Sequence, residues 1–430
     1  MKLSWVQIMR LGLVQMCLGA IVVLTTSTLN RLMVVELALP ALVPGFLVAL
    51  HYGIQITRPN WGFRSDTQGN RTAFIIGGMA ALAAGAFLAA VGVVTIPAQP
   101  VFGLVLSVLA YALIGVGVGA SGTSLLALLA TATADHRRAA AATITWLMMI
   151  FGIAVTAGTV GAVLTPYTPR LLLESVGIVT LGAVILTTLA VWGIEARVIA
   201  LREADPAPFR EGMAQIWAEP KARAFTLFIF LSMSAYFMQE LILEPYAGLV
   251  FGFGVGQSTQ LSGAQNGGVF LGMLAVGIAA TGLRLGTLRQ WVIAGCIGSA
   301  LSLIWIAMLG QVQLGLLVPA TVTLGFFNGM FAVAAIGSMM ALAGRGRDAR
   351  EGTRMGLWGA AQALAAGFGG LLGAAAVDLL RLWLPVNTAF GLVFLAEAVL
   401  FLVAAFIALR VIEASRGGRK PRSALAIPGE

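Results

Sequence analysis

The sequence predicts an all-α membrane protein of twelve transmembrane helices arranged as two six-helix pseudo-repeats. Three observations lead there. Of 430 residues, 59% are hydrophobic and only 10% charged, against roughly half apolar and a quarter charged in soluble chains. Apolar runs long enough to cross a bilayer recur between charged or turn residues. Basic residues also fall in alternate connections, as retention of Lys and Arg on the cytoplasmic side requires.

The first half supplies the runs Leu11–Leu29, Ala41–Thr57, Ala73–Val94, Phe102–Ala130, Ala139–Leu164 and Leu171–Gly193. Lys2 and Arg10 precede the first, and no small-residue cleavage site follows it, so it reads as a retained span. The second run is short and contains Pro44. The second half supplies Phe225–Leu243, Gly263–Gly282, Trp291–Gly310, Leu314–Leu342, Met355–Val377 and Asn387–Leu409. With both termini cytoplasmic, the basic residues divide 23 inside against 3 outside, the three being Arg31, Arg170 and Arg381. One missed helix would invert every later assignment.

Four segments follow: an N-terminal half over 1–194, a polar linker over 195–223, a C-terminal half over 224–410, and a basic cytoplasmic tail over 411–430. In the linker Phe209, Met213, Ile216 and Trp217 recur at helical spacing opposite Arg210, Glu211 and Glu219, the pattern of a helix lying on the membrane surface.

The net charge of +9 does not indicate nucleic acid, because the basic residues punctuate apolar runs and form no soluble face. Cys17 and Cys296 lie far apart inside apolar segments, which offers neither a disulfide framework nor a metal-binding pair. With two histidines and no nucleophile, metal or phosphate-loop arrangement, catalytic machinery has no candidate and the expected metal set is empty.

Polar residues inside the spans are the functional candidates, since each is costly to insert. Glu240 and Glu244 are four apart on one helix face at the outer end of the seventh span, beside Gln239, and could bind a cation, a proton or a polar ligand group. Hydrated carboxylates pairing with Arg31 or Arg170 are the structural alternative. Arg170 with Glu174, and Asp378 with Arg381, are spaced as local helical pairs. Glu397 lies near the centre of the twelfth span without a basic residue in its helix; it is either a neutral core residue or a contact for something arriving from the lipid side. His51 could be a hydrogen-bonded interior side chain or an axial ligand to a tetrapyrrole metal. Glycine pairs such as Gly115/Gly119 and Gly369/Gly373 allow close helix packing, and flat glycine faces could also admit a large planar ligand.

An internal repeat supports the two halves: Asp135, Trp146, Gly158 and Gly161 recur as Asp348, Trp358, Gly370 and Gly373. Between the second and third spans, Gly62, Asp66, Gly69 and Arg71 fit the G-x-x-x-D-x-x-G-x-[RK] loop of major-facilitator proteins, which the chain resembles. In that fold, functional sites lie between the halves near the midplane. Such a loop is structural or gating in character.

More specific strings are Leu29-Asn30-Arg31, Val35-Glu36-Leu37, Gly62-Phe63-Arg64-Ser65-Asp66, Leu243-Glu244-Pro245-Tyr246-Ala247-Gly248, Val250-Phe251-Gly252 and Trp358-Gly359-Ala360-Ala361-Gln362. They resemble the PucC-type family of photosynthetic bacteria, in particular its branch labelled a bacteriochlorophyll synthase subunit. The resemblance implies a protein of the intracytoplasmic photosynthetic membrane that serves bacteriochlorophyll biosynthesis or delivery and light-harvesting complex assembly. It implies bacteriochlorophyll and light-harvesting polypeptides as partners, with pigment-synthesis enzymes as further candidates, and no intrinsic cofactor beyond a bound bacteriochlorophyll. A prenyl-transferring synthase would need acidic motifs such as DxxxD on cytoplasmic loops, and the chain has none, so an accessory role is expected and not a catalytic one. Under that reading His51 is a Mg ligand, Glu244 shapes the mouth, and Glu397 is a lipid-side polar contact. The alternative is a secondary transporter of a small or amphiphilic solute with Glu240 or Glu244 as its proton site; an enzyme of tetrapyrrole maturation ranks last.

Overall fold

Each apolar run of the sequence forms a helix. The structure, a computed structural model, describes residues 3–58, 61, 70–133, 138–195, 217–283, 285–312, 315–343 and 351–412. Among these residues there are twelve long helices and no strand. They are α1 (Trp5–Glu36), α2 (Leu42–Thr57), α3 (Arg71–Thr95), α4 (Pro100–Ala132), α5 (Arg138–Val163), α6 (Pro169–Val191), α7 (Pro220–Phe251), α8 (Val255–Gly277), α9 (Leu288–Val312), α10 (Leu317–Ala343), α11 (Glu351–Leu380) and α12 (Val386–Val411). Eleven are long and apolar enough to cross a membrane, and α2 is the shorter twelfth.

Local chemistry sets several ends. Ser4 opens α1 with a capping box, its backbone N–H donating to Gln7 Oε1 at 2.8 Å while Gln7 N–H donates to Ser4 Oγ at 3.3 Å. The first helix is longer than the predicted Leu11–Leu29 because Asn30 and Arg31, which cut the apolar run short, are buried inside the protein. Two π turns, Leu24–Thr28 and Leu32–Glu36, interrupt α1. Gly252, at φ +70°, ends α7 in the left-handed region that favours glycine.

Two main hydrophobic cores form, one from residues of α1–α6 joined by Leu241 of α7 and Val255 of α8, and one from residues of α7–α12. In the first, α3 packs on α4 and α1 on α5 and α6; in the second, α9 packs on α10 and α12, and α7 on α11 and α12. The halves meet along α5 with α8 and along α2 with α11. Glycine permits the α5–α8 approach: a Cβ on Gly161 would stand 2.7 Å from Gln260 N, and one on Gly263 would stand 2.7 Å from Gly158 N. In the repeat, Gly373 likewise faces α7, with Met238 O 3.0 Å from its Cβ position. The outer surface carries large apolar side chains such as Ile178, Leu181 and Trp192, as a multi-pass membrane protein requires.

The predicted surface-helix residues Phe209, Met213 and Ile216 lie outside the described residues, as do Gly62, Asp66, Gly69, Asp135 and Asp348. Arg71 is described: it is the buried first residue of α3. Its N–H and that of Thr72 donate to the Glu195 carboxylate at 2.9 and 2.8 Å, so an acid from the far end of the N-terminal half caps α3.

Candidate functional site

Between the halves, near the middle of the bundle, α1, α2 and α7 bring together Thr26, Tyr52, Tyr236, Phe237 and Glu240. Thr26 contacts the Glu240 carboxylate through its hydroxyl. The Tyr52 ring packs edge-on to Phe237 at 5.8 Å, and the Tyr236 ring does so at 5.2 Å. Both phenols lie in the field of Glu240. A carboxyl flanked by two phenols and a threonine can hydrogen-bond a polar ligand group or hold a proton; it has no nucleophile–base pair among the described residues.

One turn further along α7 the halves are fastened together. The Ser27 hydroxyl donates to Glu244, with the Arg31 charge and Ser262 of α8 as its further polar neighbours. Thr28 and Thr259 join their hydroxyls at 3.2 Å, and Asn30 Nδ2 donates to Leu241 O at 2.7 Å. Beyond them Arg31, buried, donates to Glu36 and to Phe253 O, each at 2.6 Å. Tyr167, in the connection between α5 and α6, sits beside this group; burial first, and the Glu36 carboxylate second, raise its phenol above the ordinary value. The two acids are therefore divided: Glu240 faces the polar site and Glu244 the fastening. The described ion pairs of Arg31 and Arg170 are with Glu36 and Glu174, and not with either of these acids.

His51 is buried on α2. Arg58 donates to Gln55 Oε1, which turns the Gln55 amide so that Nε2 donates to His51 Nε2 at 2.8 Å. The lone pair that an axial metal ligand would offer is thus engaged, and Nδ1 carries the proton without a partner. Coordination of a tetrapyrrole metal by Nε2 requires Gln55 to swing away. Among the described residues no three His, Cys, Asp or Glu side chains converge on a metal position.

Glu397 is fully buried, with both carboxyl oxygens unpartnered. Its side chain points into the C-terminal core, the first of the two placements left open for it, and not to the lipid side, because it shares a stripe of α12 with the buried Phe390, Phe394 and Phe401. A sequence gives the depth of such a residue and leaves its facing open. Arg170 and Glu174 do form the expected exposed pair, at 2.7 Å. Asp378 does not use its expected partner Arg381: its oxygens accept the N–H groups of Ala41 at 3.0 Å and Leu42 at 2.7 Å, capping α2 from α11. Gly115 packs against His51 O and Gly369 against Ser234 of α7, which is the packing role read for those pairs.

Thr26, Tyr52 and Tyr236 were not singled out by the sequence, although the polar run Thr25-Thr26-Ser27-Thr28 in mid-span was a usable signal.

The family profile described as "PUCC protein" matches residues 28–416. The "Bacteriochlorophyll synthase 44.5 kDa chain" of Rhodobacter capsulatus is 69% identical over 422 residues, covering 98% of this chain and 99% of that one. "Protein PucC" of the same organism is 28% identical over 438 residues, covering 96% and 93%. Among solved structures, the nucleoside transporter NupG aligns with a TM-score of 0.67 at 13% identity, covering 95% of this chain and 99% of that one. A POT family transporter aligns at 0.69, also at 13% identity, covering 94% and 96%. Likeness at that identity concerns the fold, which is the major-facilitator architecture. On the match across nearly its whole length, the chain belongs to the PUCC protein family.

Proposed function

We propose that this chain is a photosynthetic accessory protein that hands on bacteriochlorophyll, or receives nascent light-harvesting polypeptides, without itself catalysing pigment synthesis. It works in the inner, intracytoplasmic membrane with both termini in the cytoplasm. The observation that carries this reading is the 69% identity to the bacteriochlorophyll synthase 44.5 kDa chain across 98% of the sequence. Cargo is held through Glu240 and its neighbouring phenols; Glu244 keeps the far end closed.

The test is the absorption spectrum of the protein purified in mild detergent from pigment-replete membranes, together with the polypeptides that co-purify. Stoichiometric pigment, or co-purifying antenna polypeptides, supports the reading. A protein that is colourless and carries no antenna polypeptide overturns it.

A second reading, secondary transport of a small or amphiphilic solute, is favoured by the position of the Thr26–Glu240 pair between the halves of a transporter-type fold. Solute uptake into proteoliposomes that Glu240→Gln abolishes would select it.

A further inference from the structure

A second polar layer lies inside the C-terminal half, behind the site between the halves. On α7, Gln239 shares a stripe with Phe228 and Tyr246, eleven residues before it and seven after it. On α12, Glu397 shares a stripe with Phe394 and Phe401, three before and four after. The two stripes face one another through their rings. Tyr246 contacts Phe390 at 5.5 Å and Phe394 at 5.0 Å above the layer. Below it Phe331 of α10 contacts Phe228 at 6.3 Å and Phe401 at 6.0 Å. Asn328 stands one turn from Phe331 on α10, and Ser299 of α9 donates to its Oδ1 at 2.7 Å. Gln239, Asn328 and Glu397 thus occupy one level, enclosed by aromatic rings at both ends and at most 1% exposed.

The unpartnered atoms in this layer are complementary. Gln239 Oε1 is an acceptor without a donor, Asn328 Nδ2 a donor without an acceptor, and both Glu397 oxygens are free. A neutral carboxylic acid supplies what is missing: its O–H is a donor for Gln239 Oε1 and its C=O an acceptor for Asn328 Nδ2. A carboxylate would offer acceptors alone and would leave Gln239 unsatisfied. No countercharge is at hand among the described residues either. The titratable groups near this level on the helices packed against α12 are Tyr236, Glu240 and Glu244 of α7, which serve the site and the fastening between the halves, Tyr246 of α7, whose hydroxyl donates to Ile306 O at 2.8 Å, Cys296 of α9, and Asp378 of α11, which is turned to α2. An isolated ionised carboxylate in such a place carries a prohibitive desolvation cost.

We infer that Gln239, Asn328 and Glu397 form a buried proton-binding site, in which Glu397 holds a proton and internal water bridges its carboxyl to the two amides. Enclosed polar groups with unmet hydrogen bonds are the setting in which proteins retain ordered water. The site also adjoins the one between the halves. Gln239 and Glu240 are consecutive on α7, so neighbouring residues of one helix serve the proton site and the site between the halves.

Infrared spectroscopy of the full-length protein in lipid nanodiscs tests this. The expected result is a protonated-carboxyl C=O band that disappears in Glu397→Gln and is the same with or without sodium. Gln239→Leu and Asn328→Leu should each move that band to higher frequency, since each removes a hydrogen-bond partner. If Glu397→Gln deletes no such band, Glu397 is ionised and the inference fails. It fails equally if the band is present only in sodium-free buffer, because a monovalent cation then occupies the site. Should Glu397→Gln not fold, the two leucine variants carry the test, and a band unmoved by both overturns the inference.

Discussion

The guanidinium of Arg31, buried at the end of α1, donates at 2.6 Å to the carbonyl oxygen of Phe253, which follows α7 in the opposite half. A second guanidinium nitrogen holds Glu36 at the same distance. One cation from the N-terminal half therefore closes the chain end of α7 and orders its own helix terminus.

Arg31→Gln removes both contacts and leaves Phe253 O short of a charged donor. Hydrogen bonds to charged groups contribute about 1.5–3 kcal/mol, so the thermal unfolding midpoint in detergent should fall by a corresponding margin. Arg31→Lys should recover only part of it, because a single ammonium cannot reproduce the two-pronged geometry. An Arg31→Lys variant as stable as the wild-type protein would contradict the assignment.

The α5–α8 seam should tolerate no side chain at Gly161 or Gly263. Substituting either by leucine forces the halves apart and costs about 1–3 kcal/mol or more, read as lower yield of monodisperse protein on size-exclusion chromatography. Gly182 of α6 has nothing within 4 Å of its Cβ position. Gly182→Ala should leave that profile intact and raise thermal stability by up to about 1 kcal/mol through helix propensity.

Asp378→Ala strips the cap from α2, at a cost of about 0.5–2 kcal/mol. Asp378→Asn, which keeps one acceptor oxygen, should lose less. Thermal unfolding of both variants beside Arg381→Ala checks the geometry: a partnership with Arg381 would make Arg381→Ala as harmful as Asp378→Ala, and the cap makes it nearly silent.

His51→Leu leaves Gln55 Nε2 buried without its acceptor, a loss of about 1–3 kcal/mol, visible in thermal unfolding. Because Gln55 holds the His51 lone pair, pigment retained per protein should be unchanged in this variant and reduced in Glu240→Gln. Absorption spectra of the two purified variants decide between them.

The helix count was legible because hydropathy acts residue by residue, with no need of a partner. Facing was not. Glu397 is placed at mid-span by the run around it, but which neighbour it meets depends on how α12 rotates against α7 and α9. Asp378 and Arg381 have helical spacing, yet the carboxylate prefers the N–H groups at the start of α2, more than three hundred residues away in sequence. Arg31 marked a span end by its charge, whereas burial and two acceptors carry it inside the helix. The division of labour between Glu240 and Glu244 was equally hidden, since it depends on hydroxyls from α1.

The short second helix has a consequence for the surrounding lipid. A 13-residue α-helix followed by a 3-residue tighter turn rises about 25 Å, less than the hydrocarbon thickness of about 30 Å. The Asp378 carboxylate, reaching over from α11, takes the place of water for the first N–H groups of this short helix. A span shorter than the hydrocarbon is matched by thinning of the lipid beside it, by snorkelling of its flanking side chains or by association with a neighbour, and α2 has such a neighbour in α11.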